Sequence, residues 1–285
     1  MHDLLLFSHA NGFPAPVYAL MLDTLAADYR VVRPERIGHD PRYPVTPDWP
    51  HLVDELVARV RAAAGDAPRI WLVGHSLGGY LSLLAAHRLA DSALRARVAG
   101  VVMLDSPLIA GWRAQLVSIG RRTGLDNLLM PIRATLQRRK HWPDRDAVRA
   151  HFQAKPAFAR WHPRVLEDYV EHGTRVADDG TRELAFVRET EYAIYRSLPT
   201  TALSDLATRL RVPVAFLAGT RSRELRHAGS AATRRLVGER WAWIEGSHLF
   251  PMERPLETAQ AIAAMIARMR PARTDPDAAR AMRAA

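Results

Sequence analysis

The chain contains no cysteine. That absence removes a disulfide framework, a thiolate zinc site and a cysteine nucleophile at once. Long apolar runs are missing as well. The longest, residues 98–110, is broken by Asp105 and is too short to cross a bilayer, so no stable membrane insertion is expected. The opening Met1-His2-Asp3 leads straight into Leu4-Leu5-Leu6-Phe7, without a basic region, a long apolar segment or a cleavage site. No signal peptide is expected, and the location to expect is cytoplasmic. There is no internal repeat and no low-complexity segment. Acid is the scarcer charge, with 30 Asp/Glu against 40 Lys/Arg and a formal net charge of +10.

The excess is concentrated. Residues 112–164 hold twelve Lys/Arg and only Asp126, Asp144 and Asp146 on the acid side. One reading is a solvated, Arg-rich surface. A sharper one is a field that draws in an anionic substrate or a membrane surface. Nucleic acid is not expected as a partner, because no binding motif accompanies the charge.

The remaining composition, 48% hydrophobic in 285 residues, suffices for one large domain or a core carrying an insertion. Short apolar runs at 4–8, 29–34, 69–75, 98–105, 213–219 and 240–245 read as strands apolar on both faces. Helical patterns at 51–64, 77–90 and 256–269 fill the gaps between them. The alternation predicts an α/β fold, a mostly parallel sheet of about six strands with crossover helices on both faces. The rhythm breaks at 107–199, a stretch rich in Arg, Trp and Pro with helical patterns at 163–176 and 189–197. It is expected to be an inserted helical lid on a core of 1–106 and 200–270. Residues 271–285 read as a frayed tail, with a marginal helix at 277–283.

The strongest chemical signal is Ile70-Trp71-Leu72-Val73-Gly74-His75-Ser76-Leu77-Gly78-Gly79. An apolar strand meets Gly-x-Ser-x-Gly, and a helix follows. Such a strained turn holds the serine hydroxyl out at the strand end, where the helix N-terminus aims its N–H groups. Ser76 is the candidate nucleophile, and the Leu77 N–H a candidate oxyanion donor.

This elbow resembles that of the α/β-hydrolase fold superfamily, and the likeness spans most of residues 3–269. The resemblance implies a Ser-His-acid triad and no metal or cofactor, while the first strand candidate opens almost at residue 1, so no strands are expected ahead of it. Two further segments carry the resemblance. Asn11-Gly12-Phe13-Pro14 lies on the family's loop after the first core strand, which supplies a second oxyanion N–H; here that donor would be Phe13. Asn11 stands where the family has His. Gly246-Ser247-His248, after the last strand and before the helix opened by Pro255, resembles the loop that carries the general base, His248.

The acid stays open between two residues. The family's usual position, just past Gly219, reads Thr220-Arg221-Ser222-Arg223-Glu224, with Ser222 or Arg223 where Asp is usual and Glu224 slightly late. Asp105, at the end of the preceding strand, is the other candidate and the preferred one. Asn11, Tyr18 and Trp112 are candidate substrate-binding residues; aromatics such as Tyr18, Trp142, Phe152, Phe158 and Trp161 are otherwise core.

The expected activity is hydrolysis of a carboxylic ester or related acyl compound through an acyl-serine. The partner would be a small molecule, acyl and on the charge argument anionic. Thioester, lactone and carbon–carbon bond hydrolysis share the machinery, and a small-molecule receptor on the same fold is the alternative of a different class.

Overall fold

The computed structural model describes residues 2–111, 114–115, 132–199, 206 and 209–270. Six parallel strands form its central sheet: β1 (Asp3–Ser8), β2 (Tyr29–Val32), β3 (Ile70–His75), β4 (Val98–Leu104), β8 (Val214–Gly219) and β9 (Trp241–Ile244), in the order β2-β1-β3-β4-β8-β9. These are the six predicted runs, trimmed at their ends. Their side chains alternate between two cores. Leu4, Leu6, Leu72, Val101, Met103 and Phe216 face one, shared with α2 (Pro50–Ala64) and α3 (Leu77–Leu89). Leu5, Phe7, Trp71, Val73, Val102 and Leu217 face the other, shared with α1 (Ala19–Leu25) and the last helix, α10 (Pro255–Met269). Burial on both faces is why each run is apolar throughout rather than alternating.

The sheet's carboxyl edge is laced by backbone hydrogen bonds just beyond the strands. Ser76 N–H donates to the Leu104 carbonyl (2.9 Å), Asp105 N–H to Leu217 (2.8 Å) and Thr220 N–H to Ile244 (2.9 Å). The corners after β3, β4 and β8 are thereby held in one row. Parallel α/β sheets place their ligands at this edge.

Between β4 and β8 lies the insertion. Its described part carries α4 (Arg145–Gln153), α5 (Pro163–His172) and α6 (Arg188–Arg196), and the short strands β5 (His141–Trp142), β6 (Thr174–Val176) and β7 (Arg182–Leu184). Beside the expected helices, the insertion carries a feature the sequence did not suggest: these strands form an antiparallel sheet in the order β5-β7-β6. The pattern over 163–176 does not continue as helix to its end. Helix α5 stops before Gly173, and Thr174–Val176 turns back through Asp179-Gly180 to pair with β7. Arg182 fixes this hairpin from inside: buried, it donates to Thr174 Oγ1 and to the Val170 and Glu171 carbonyls.

The basic stretch is matched by acids beyond it in the chain. Arg145 and Arg149 meet Glu167 (2.8 and 2.6 Å), Arg164 meets Asp168, Arg160 meets Glu253, and Arg138 forms a largely buried pair with Glu191. The predicted tail helix at 277–283 lies outside the described residues. Among those residues no helix is long and apolar enough to cross a membrane.

Candidate active site

The turn after β3 depends on two glycines. A Cβ on Gly74 would overlap the backbone of Gly78, and one on Gly78 would overlap the Ser8 carbonyl. Between them Ser76 adopts φ 52°, ψ −114°, a backbone region that non-glycine residues enter only where the surroundings force it. Ser76 heads α3, so the Leu77 N–H, in the first turn, has no intrahelical partner. It faces the end of the helix dipole that favours negative charge.

Asp105 sits one strand over, fully buried and also at positive φ (46°). Its carboxylate accepts three hydrogen bonds: the Gly219 N–H on Oδ1 (3.1 Å), and the Ser222 hydroxyl (2.5 Å) and His248 Nδ1 (2.7 Å) on Oδ2. Glu224 approaches the same His248 nitrogen only to 3.9 Å, and its side chain is half exposed. The structure thus brings both candidate acids to His248 and gives the short bond to Asp105. Sequence reasoning missed the part played by Ser222. Its place at the family's usual acid position was the available signal. From there its hydroxyl donates to Asp105 while accepting the Leu225 N–H (3.0 Å).

Burial alone would lower the pKa of His248. The hydrogen bond to Asp105 and the charges of Glu224 and Asp105 outweigh it, and the pKa stands above the usual histidine value. The loop bearing His248 is braced by buried Glu253, which accepts from the Ser247 N–H (3.0 Å) and hydroxyl (2.6 Å) and pairs with Arg160 of the insertion (3.2 Å).

The loop after β1 departs from expectation. The Phe13 N–H, expected as the second oxyanion donor, donates to the Ala10 carbonyl (3.1 Å) and closes a turn. Gly12, at φ 81°, makes that turn possible. Asn11 is buried, and its amide donates to the Glu191 carbonyl (2.9 Å), docking the insertion on this loop. Tyr18, expected to contact substrate, is almost fully buried, and its hydroxyl is engaged by the Ala10 N–H and the His75 ring. Its hydroxyl bridges the loop after β1 and the last residue of β3, which is the physical reason for that difference. Trp112 lies outside the described residues. Trp142, Phe152, Phe158 and Trp161 pack together with Tyr169, and Phe13 joins them at 5.8 Å from Trp161.

A serine in a strained elbow, a histidine and a buried carboxylate gathered at the carboxyl edge of one sheet suit nucleophilic acyl chemistry. Comparison with known proteins agrees with the architecture. The chain is similar over its length to E-2-(acetamidomethylene)succinate hydrolase (22% identity, 93% of this chain and 92% of that one, TM-score 0.73). It is similar also to the thioesterase domain of the curacin biosynthetic pathway (16%, 93% and 90%, TM-score 0.65) and to an esterase from M. tuberculosis (17%, 93% and 85%, TM-score 0.65). No curated protein matches the sequence. A profile of the alpha/beta hydrolase family matches residues 5–261, nearly the whole chain, and the chain belongs to that family.

Proposed function

We propose that the protein hydrolyses a carboxylic ester or related acyl compound through an acyl-Ser76 intermediate. The observation that carries this reading is the 2.7 Å bond between His248 Nδ1 and the buried Asp105 carboxylate, one strand from the Ser76 elbow. With Nδ1–H donated to Asp105, the lone pair of His248 is on Nε2. That nitrogen takes the Ser76 proton as Oγ attacks the carbonyl carbon. The developing oxyanion meets the Leu77 N–H. The imidazolium then gives its proton to the leaving group as the bond from the carbonyl carbon to that group breaks, which leaves the acyl group on Ser76. Water, deprotonated by His248, releases the acid and restores the serine.

A second amide from the loop after β1 adds to the oxyanion site if the Phe13 N–H leaves the Ala10 carbonyl on substrate binding. Each such donor is worth about 3–4 kcal/mol in comparable sites. The insertion 107–199 serves as the lid, attached to both the loop after β1 and the loop that bears His248. A thioesterase domain and an esterase among the similar structures support acyl transfer to water as the shared chemistry.

A panel of aryl, alkyl and thioesters run on wild type and Ser76→Ala tests the proposal. Turnover by the wild type that falls to background in Ser76→Ala is expected. Equal turnover in both, or none in the wild type across the panel, would rule it out.

A further inference from the structure

Tyr18, His75 and His9 are buried polar side chains that the acyl-serine steps do not use. Their hydrogen bonds can be directed atom by atom. The Ile37 N–H donates to His9 Nε2 (2.8 Å), so His9 carries its proton on Nδ1 and donates it to the Ala10 carbonyl (2.8 Å). The Ala10 N–H donates to the Tyr18 hydroxyl oxygen (3.2 Å). The His248 carbonyl can only accept, so His75 Nε2, 2.9 Å away, carries a proton and donates to it. Burial holds the His75 pKa well below the usual value, and the ring is neutral. Its Nδ1 therefore has a free lone pair, which accepts a hydrogen bond from the Tyr18 hydroxyl (2.8 Å).

The path starts at the loop after β1, crosses the residue beside the nucleophile and ends on the backbone of the candidate base. Apolar residues of similar size would fill the same space without the cost of burying polar groups. The His75 and His248 rings lie 5.0 Å apart, so a change in one is felt at the other.

We propose that Tyr18 and His75 are positioning residues for His248: the chain from the Ala10 N–H through the Tyr18 hydroxyl and the neutral His75 ring to the His248 carbonyl sets the distance from His248 Nδ1 to Asp105. This rests on the acyl-serine reading for its effect on turnover, but its geometric part is independent of substrate.

The test uses Tyr18→Phe, His75→Gln and His75→Leu in the full chain. Tyr18→Phe removes only the hydroxyl and keeps the ring that packs on Phe7. His75→Gln keeps an N–H donor where Nε2 stands. Two readouts are taken at matched folding, judged by melting temperature: the far-downfield proton resonance of the His248–Asp105 bond, and kcat and KM on a p-nitrophenyl ester. Expected are a lost or shifted resonance in Tyr18→Phe and His75→Leu, and kcat lower by about tenfold or more at nearly constant KM. His75→Gln should retain the larger share of both. An unchanged resonance and kcat in folded Tyr18→Phe and His75→Leu would overturn the proposal and leave the chain a brace for packing alone. If no ester is turned over by the wild type, the acyl-serine reading fails while the resonance still decides the positioning role.

Discussion

Asp105 and Glu224 both reach toward His248 Nδ1, but their surroundings differ. Asp105 is buried and receives N–H and O–H donors that hold it in one orientation, whereas Glu224 is half exposed on a solvated helix start. Asp105→Asn should therefore cut kcat by about 10⁴-fold, as loss of the orienting carboxylate does in other triads. Glu224→Gln should leave kcat within about tenfold at its plateau, since an exposed charge at this distance contributes little. It should also move the acidic limb of the pH–rate profile to lower pH, because Glu224 helps to raise the His248 pKa and the base must be neutral to act. Collapse of kcat in Glu224→Gln, with Asp105→Asn near the wild type, would assign the acid the other way; a limb that stays in place would contradict the effect of the Glu224 charge on His248. At this scale the placement of Ser76 on a strand–helix elbow and of His248 on the loop after the last strand was legible from the chain alone. Gly-x-Ser-x-Gly after an apolar strand, and Gly-x-His between a strand and a helix, are local patterns. The acid was not legible, because the choice depends on which strand end comes within reach of the imidazole. The parts played by Tyr18 and His75 were hidden for the same reason: their partners lie 57 and 173 positions away.

The elements were legible wherever they were long and uniform. The six strands and the helices α2, α3 and α10 follow from continuous apolar runs and helical spacing. The two- and three-residue strands of the insertion did not, since so short a segment shows no period, and only pairing makes them strands: β6 with β7 across the Asp179-Gly180 turn, and β5 with β7 from further away in the chain. Two substitutions test how the elements hold the site. Gly78→Ala forces a Cβ against the Ser8 carbonyl, so β1 and α3 must separate. Loss of stability together with activity is expected, read by thermal melting and ester turnover. Ile266, fully buried under the sheet on α10, should cost about 2–5 kcal/mol when cut to alanine, measured by urea unfolding. Activity per folded molecule should survive that change, because the bonds that place Asp105 and His248 come from Gly219, Ser222 and each other. A melting temperature unmoved by either substitution would contradict the packing described.

For the molecule as a whole, buried histidines tie stability to pH. Burial, offset in part by the Ala10 carbonyl, pushes His9 from 6.5 down to about 4, and His75 is lowered in the same sense. Between these values the unfolded chain binds more protons than the folded one, so stability falls as pH drops from 6.5 toward 4. The His9 shift alone corresponds to about 3 kcal/mol. His248 opposes this, since its raised pKa adds stability at low pH that is lost as pH rises through the folded value. A melting temperature that declines between pH 7 and pH 5 is the expected net result; a flat or rising one would contradict it. The charge balance leads to a second expectation. The sequence suggested a basic field over the insertion, but the Arg side chains from 138 to 164 are spent largely on Glu167, Asp168, Glu191 and Glu253. Esters with neutral and anionic acyl groups should then differ by no more than about tenfold in kcat/KM at low salt, the condition that most favours steering.

On the reading proposed above, the fold activates Ser76. Labelling with a fluorophosphonate, with the adduct located by peptide mass spectrometry, tests it most directly, because only a serine activated by its histidine reacts quickly. One adduct per chain, on Ser76, is expected, with labelling slowed by orders of magnitude in Asp105→Asn and His248→Ala. A wild-type Ser76 that stays unlabelled, or labels at the same rate in those variants, would contradict it.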